Sequence, residues 1–578
     1  MNRALLLART FFARFFESEL MPAGVPQVQL LIWSIALLAS PGLLLPMRFA
    51  AKYNGLQLTN PSALPGVLLM DRLLFITLTM TALGLVALVT WEGVYPDRRD
   101  ARILSVLPVP GRVLIAARLA ALTAVALIFT AGVNIVPSLT FGPAVGAFGG
   151  ASGWVMGAAA HAIATGLAGL FVFFSLIALE GVLLIMLGRH WAERVSVALQ
   201  MAFVVMLLQL LFFMPQIGGM LQADLGSAAT DPILRLVPSV WFLGLYDVAG
   251  CRPSGGTTGL ALTAIAASAV AAGGAFGFLA ATHARLTKMA LETRDRSGGN
   301  NAFFSGVAGR LNCVITPASI ERATIGFTVR TVTRSRQHRM LLALYIGVAG
   351  ALVVAAIVPL VMRGGGTLFT RPGVAVLSAP LVLMFFTLTG MRALFAIPSE
   401  PRARWIVRLA EPQDLEAAMR GVRKAMLLLG VLPAVALAVT SAAVLWGAAA
   451  ALAHGLICVL LGVLLTELLA VGLCKVPFTC TYLPGRSRAR TLWPFYLTGF
   501  TTYTYSMAAL ELRVLDSPLG LIAVCVAICV AIGMAALARA RFLKDSPGLR
   551  FEEEDPDAIF GGFNLSEGLA ASAPARGD

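Results

Sequence analysis

Several ionisable and polar residues stand inside long apolar runs, and one dense cluster of charge lies between two such runs. Glu180 and Glu467 are carboxylates set deep in apolar sequence, each a few turns ahead of a basic residue, Arg189 and Lys475. An ionised group at the centre of a bilayer costs about 2.5–3.5 kcal/mol on insertion scales, so each must face other helices or be neutral. That leaves a polar lining or coupling-ion site on one hand and a helix–helix hydrogen bond on the other. His161, Asn134, Gln200 and Gln209 are lone polar residues on apolar stretches and suit interhelical hydrogen bonds, with His161 also a polar position along a pathway. Arg118 and Arg392 lie near span ends, where snorkelling keeps a charge wet. Five scattered histidines make no metal cluster, and seven cysteines without paired spacing make no disulfide framework or zinc site. The sequence also has no phosphate loop, G-x-S-x-G or H-E-x-x-H. The expectation is a non-enzyme with no cofactor of its own.

The charged cluster occupies residues 92–118. Asp97, with Asp100 three residues on, can cap a short helix reciprocally. Ile103, Leu104, Val106 and Leu107 then fall on one side, with Arg98, Arg102 and Ser105 on the other. Pro108 and Pro110 end that helix, because proline lacks the amide donor and disfavours helix in the residue before it. A short amphipathic helix along the membrane face, basic side to water, is a docking element for a soluble partner. Asp97, Arg98, Arg99, Asp100, Arg102, Leu104 and Leu107 are its candidate contacts.

These residues need elements to hold them, and composition sets the class. The chain has 578 residues, 58% hydrophobic and only 13% charged, with mean hydropathy +0.84. Soluble domains do not look like this, whereas separate apolar runs of about 20 residues each span a ~30 Å hydrocarbon core. Net charge +15 is read as cationic loops beside a membrane and not as a nucleic-acid surface. Residues 3–19 suit a helix lying in the interface, with Phe11, Phe12, Phe15 and Phe16 dipped into lipid. Spans follow at 27–47, 73–91, 113–136, 155–188, 195–220 and 257–281. A second basic amphipathic stretch at 316–339 precedes spans at 341–362, 374–397, 425–447, 451–474, 493–511 and 517–538.

The expected fold is therefore an all-α polytopic membrane protein of about 12 transmembrane helices, two parallel six-helix repeats each preceded by an interfacial amphipathic helix. Its divisions are 1–290, a cytoplasmic linker at 291–315, a second half at 316–543 and a disordered acidic tail at 544–578. Lysine and arginine collect on one side, which puts both termini in the cytoplasm. Setting Pro96 on Pro398 without gaps pairs Arg102 with Arg404, Pro110 with Pro412 and Arg118 with Arg420. Trp241, Phe242 and Tyr246 lie on the outer side, as an aromatic belt or as a re-entrant segment before the sixth span. The proline-bounded loop 475–486 is a second candidate docking contact.

Residues 95–109, Tyr-Pro-Asp-Arg-Arg-Asp-Ala-Arg-Ile-Leu-Ser-Val-Leu-Pro-Val, resemble the membrane subunits of ATP-binding-cassette exporters of the type-two permease class. There a P-D-R-R-D…L-x-x-L-P-V segment follows the second span, and a basic residue, here Arg118, opens the third. Residues 398–412 lack the acidic/basic run and the Leu-Pro pair, so the second half matches more loosely. The resemblance implies a bacterial inner-membrane protein with separate ATPase subunits, two of them, bound below. They would carry the ATP and magnesium and dock at residues 97–107 and 402–412, including Arg402, Arg404 and Arg408. Their cycle would rock the halves and export a substrate the sequence does not name. The alternative is a proton-coupled secondary transporter of the major facilitator class, echoed by Gly93-x-x-x-Asp97-Arg98, although Asp100 stands where that class has glycine. A polytopic membrane enzyme would need a sizeable catalytic loop, which the sequence lacks.

Overall fold

The computed structural model describes residues 3–16, 27–94, 108–146, 150–214, 217, 232–251, 255–292, 319–362, 372–397, 399, 415–473, 476–479, 496–515 and 517–544. Among them the regular structure is helical throughout, without a strand. In chain order the helices are α1 (Arg3–Phe16), α2 (Gln27–Thr59), α3 (Leu64–Thr90), α4 (Gly111–Gly146) and α5 (Gly150–Phe212). Then come α6 (Pro238–Ala249), α7 (Gly255–Glu292), α8 (Ser319–Arg334), α9 (Arg336–Met362) and α10 (Val374–Leu394). The last are α11 (Leu415–Met426), α12 (Leu432–Trp446), α13 (Ala448–Ala470), α14 (Met507–Val514) and α15 (Pro518–Lys544). Two π-helical turns, Leu427–Val431 and Thr502–Ser506, run into α12 and α14.

Ten helices among the described residues are long and apolar enough to cross a membrane. The chain is a multi-pass membrane protein whose described spans are helical. The expected spans at 27–47 and 493–511 fall on α2 and on helix 496–514, which are not among those ten. Hydrocarbon explains the exclusively helical backbone, since every amide there must be satisfied within its own segment.

Two contact-defined units divide the chain. The first holds α1 to α7 together with residues 343–362 of α9. Its centre is α5, which packs against α3, α4, α6 and α7. Gly84 of α3 lies against both Val172 and Leu207, thirty-five residues apart on α5. A straight helix would separate them by about 52 Å. The helical backbone of α5 therefore doubles back between its two apolar spans, Gly153–Leu187 and Val195–Phe212. Lipid supplies no hydrophobic drive for helix association, so close approach of small residues must hold the spans together. A Cβ on Gly142 of α4 would sit 2.8 Å from both Ala158 Cα and Gly157 O of α5. Gly142→Ala is expected to lower stability by about 1–3 kcal/mol, as overpacking does. Thermal unfolding in detergent checks this, with Gly277→Ala, which faces open space, melting as wild type.

The second unit holds α8, residues 336–342 and α10 to α15. Leu377, Leu381, Met384, Leu388 and Met391 form a buried stripe along α10, the spacing of a helix face. Gly447 alone joins α12 to α13 and sits at φ +89°, a conformation that glycine adopts without steric cost. That one residue lets two spans reverse.

Phe11 departs from its expected place in lipid. It is buried, with the Arg118 guanidinium 4.8 Å above its ring. Arg118 does not snorkel either: it is only 3% exposed. Packing of α1 on α4 takes both residues inward.

Candidate functional site

The stretch 97–107, with Asp97, Arg98, Arg99, Asp100, Arg102, Leu104 and Leu107, lies outside the described residues, as do Arg402, Arg404 and Arg408. The helices immediately C-terminal to the two stretches are described. After Pro108 and Pro110, α4 starts at Gly111, with the Val113 amide donating to Pro110 O at 2.9 Å. After residue 414, α11 starts at Leu415. Within the first unit α1 packs on α4, through Phe11 and Arg118. Within the second α8 packs on α11, where Glu321 pairs with Lys424 and lies 3.9 Å from Arg420. Arg118 and Arg420 are residues paired when the two halves of the sequence are superposed. Each touches the helix that opens its own half.

A polar network gathers at the N-terminal end of α3. Asp71 accepts from Lys52 Nζ at 2.8 Å and from Tyr53 OH at 2.7 Å, both on α2. Arg72 donates to Asp247 of α6 at 2.8 Å and lies 5.1 Å over the Tyr246 ring. Neighbouring residues on a helix point about 100° apart, so an acid and a base side by side can hold two different partners. Both members of the Arg72–Asp247 pair are mostly buried, their side chains 11% and 13% exposed, which suits charge at membrane depth. Beside it His161 is fully buried, edge-on to Phe75 and Phe141 at 5.3 Å and to Tyr246 at 5.9 Å. Neither ring nitrogen has a hydrogen-bond partner among the described residues, so His161 is held by its aromatic neighbours.

Trp241, Phe242 and Tyr246 all lie on α6, a helix of 12 residues. Its length of about 18 Å is too short to cross a ~30 Å core. Trp241 Nε1 donates to Arg235 O at 2.7 Å, while Phe242 and Tyr246 are buried. Asn134 meets Thr79 Oγ1 at 2.9 Å, and Gln209 Nε2 donates to Ala351 O at 2.5 Å. Gln200 is buried with no side-chain partner among the described residues. Glu180 is buried on α5.

The second unit carries one buried ionic cluster and one buried polar cluster. Glu467 of α13 takes Arg423 of α11 on one oxygen and Arg539 Nε of α15 on the other, the latter at 2.8 Å. Further along α13, His454 Nδ1 lies 2.7 Å from Glu511 Oε1, with Cys458 Sγ within 3.8 Å of the same ring. Tyr503, in the π-turn that leads to Glu511, has its hydroxyl 3.8 Å from Met384 Sδ. A π-turn inserts a residue and re-aims the side chains after it, which recurs at functional positions.

Hydropathy reasoning singled out Glu467, Glu180, His161 and Tyr246 but missed Asp71, Arg72, Asp247, Glu511 and Arg539. The available signal was an acid or base within a few turns of a span end. No protein-family model, curated protein or solved structure matches this chain.

Proposed function

We propose that the chain is the membrane subunit of an ATP-binding-cassette exporter of the type-two permease class, with about twelve spans arranged as two parallel repeats. One observation carries this reading. In each half, the span that begins just past the candidate docking stretch is clasped by the helix that opens that half, through Arg118 in one case and Arg420 in the other. A push on either docking stretch thus reaches a packed pair of helices. In the first unit α3 ends at Thr90, just before the docking stretch, and the nineteen residues back to Asp71 rise about 29 Å. That is the depth of the hydrocarbon. One rigid helix therefore links the docking face to the Asp71/Arg72 network.

On this reading two ATPase subunits bind below at residues 97–107 and 402–412 and carry the ATP and magnesium. This chain, in a bacterial inner membrane with both termini cytoplasmic, supplies the path for an exported substrate and no catalysis. Replacing Arg98, Arg99 and Arg102 with glutamate together is expected to abolish co-purification of the ATPase while membrane insertion stays normal. Normal recruitment by the inserted triple variant would overturn the docking assignment. The buried His454–Glu511 pair favours a second reading, a proton-coupled secondary transporter. Sealed vesicles separate the two: transport by the chain alone, driven by a proton gradient without nucleotide hydrolysis, selects the second.

A further inference from the structure

The seam between α13 and α15 is charged at one end and apolar further along. At the charged end three guanidinium groups from three helices converge on the last turn of α13. Arg423 and Arg539 share the two oxygens of Glu467, and Arg392 Nε of α10 donates to Leu469 O at 3.2 Å. Among the described residues, one carboxylate thus answers three positive charges. Arg423 Nε is buried with no hydrogen-bond partner among those residues. The carbonyls that end α13 add only about half a negative charge. Excess positive charge in a mostly buried cluster calls for an anion.

Further along the same seam, Leu456 of α13 and Leu521, Ile522, Cys525, Val526, Cys529 and Val530 of α15 line an apolar groove of about 470 Å³. Ile522, Val526, Val530, Met534 and Leu537 are each more than half exposed. They form the lipid-facing side of α15, whereas Leu521 at the groove and Arg539 lie eighteen residues, five whole turns, apart and so share the face turned to α13. From Val530 to Arg539 is about 14 Å, close to the ~15 Å depth of one leaflet's hydrocarbon.

We propose that this seam binds an anionic phospholipid, its phosphate among Arg392, Arg423 and Arg539 and an acyl chain laid along α15 into the groove. A free phosphate would use the charges and leave the groove idle. A zwitterionic lipid would fill the groove and leave excess charge unanswered. A lipid of net negative charge satisfies both, and basic pockets between spanning helices take such headgroups. The inference needs only that the chain spans a membrane, so it stands or falls apart from the exporter reading.

The test is native mass spectrometry of the purified full-length chain in neutral detergent, titrated with phosphatidylglycerol or phosphatidylcholine. Wild type is expected to retain one phosphatidylglycerol under conditions that strip phosphatidylcholine. Arg392→Gln and Arg539→Gln each leave Glu467 paired with Arg423, so the ion pair survives while the excess charge falls. Each is expected to weaken phosphatidylglycerol retention about fivefold. Val526→Trp, on the exposed face of α15 and away from every charge, is expected to weaken it by occluding the groove. Equal retention of the two lipids, or wild-type retention by all three variants, would overturn the proposal. Displacement by millimolar inorganic phosphate would also overturn it, by revealing a site for free anions.

Discussion

Glu467→Leu is expected to cost about 3–5 kcal/mol of stability, because it leaves two guanidinium groups facing each other with no carboxylate between them. Arg423 and Arg539 are largely buried by neighbouring helices. Glu467→Gln keeps acceptor oxygen in place but removes the charge, so its loss should be smaller. The triple change Glu467→Leu with Arg423→Met and Arg539→Met should recover most of the stability, because apolar groups of similar volume replace a buried ionic cluster at little net cost. Thermal unfolding of the purified chain in detergent reads all three. If Glu467→Leu melts as wild type does, the carboxylate is not what neutralises the two arginines.

That cluster also shows how far the sequence is legible. Glu467 stands out because a carboxylate amid leucines has few explanations in a membrane. Its partners do not stand out. Arg423 and Arg539 sit near span ends, where a linear reading counts them as loop charges facing water. Only three-dimensional packing turns them inward. Arg72 is the same case at the other end of the chain's first spans. It reads as an outer-loop charge, yet it is mostly buried against Asp247, 175 residues on. No periodicity reports a pairing at that range.

The spans themselves were readable because hydropathy over about 20 residues is a local property. Their ends were less so. The span expected at 73–91 belongs to a helix that begins at Leu64, since Asp71 and Arg72 are paired within the bundle and need no loop to solvate them. Likewise α2 continues to Thr59, past the expected span end at residue 47. The doubling back of α5 is invisible to hydropathy and emerges only from Gly84 touching both Val172 and Leu207. Burial and interfacial placement read alike in a sequence. The phenylalanines near the N-terminus satisfy an amphipathic pattern whether they meet lipid or protein, and Phe11 meets Arg118.

The Arg72–Asp247 pair carries the other large expected effect. Arg72→Met would leave the Asp247 carboxylate buried without its cation, at a cost of about 3–5 kcal/mol. It would also remove the cation from the face of Tyr246, worth about 0.5–2 kcal/mol at a desolvated site. The double variant Arg72→Met with Asp247→Leu should regain most of the ion-pair loss but not the ring contact. Stability alone would not distinguish a bolt from a bystander, so a local readout is needed. Ser239 is fully buried on α6, and a Ser239→Cys background with the seven native cysteines replaced by alanine gives a single thiol that a maleimide reaches only when α6 lifts. Labelling is expected to be slow in that background, to rise steeply with Arg72→Met and to fall again in the double variant, as local opening follows the lost contact. Unchanged labelling across the series would mean that α6 is held by its apolar face against α5 and α7. The Asp71/Arg72 end of α3 would then lose its role as the far anchor of the lever that begins at the docking stretch.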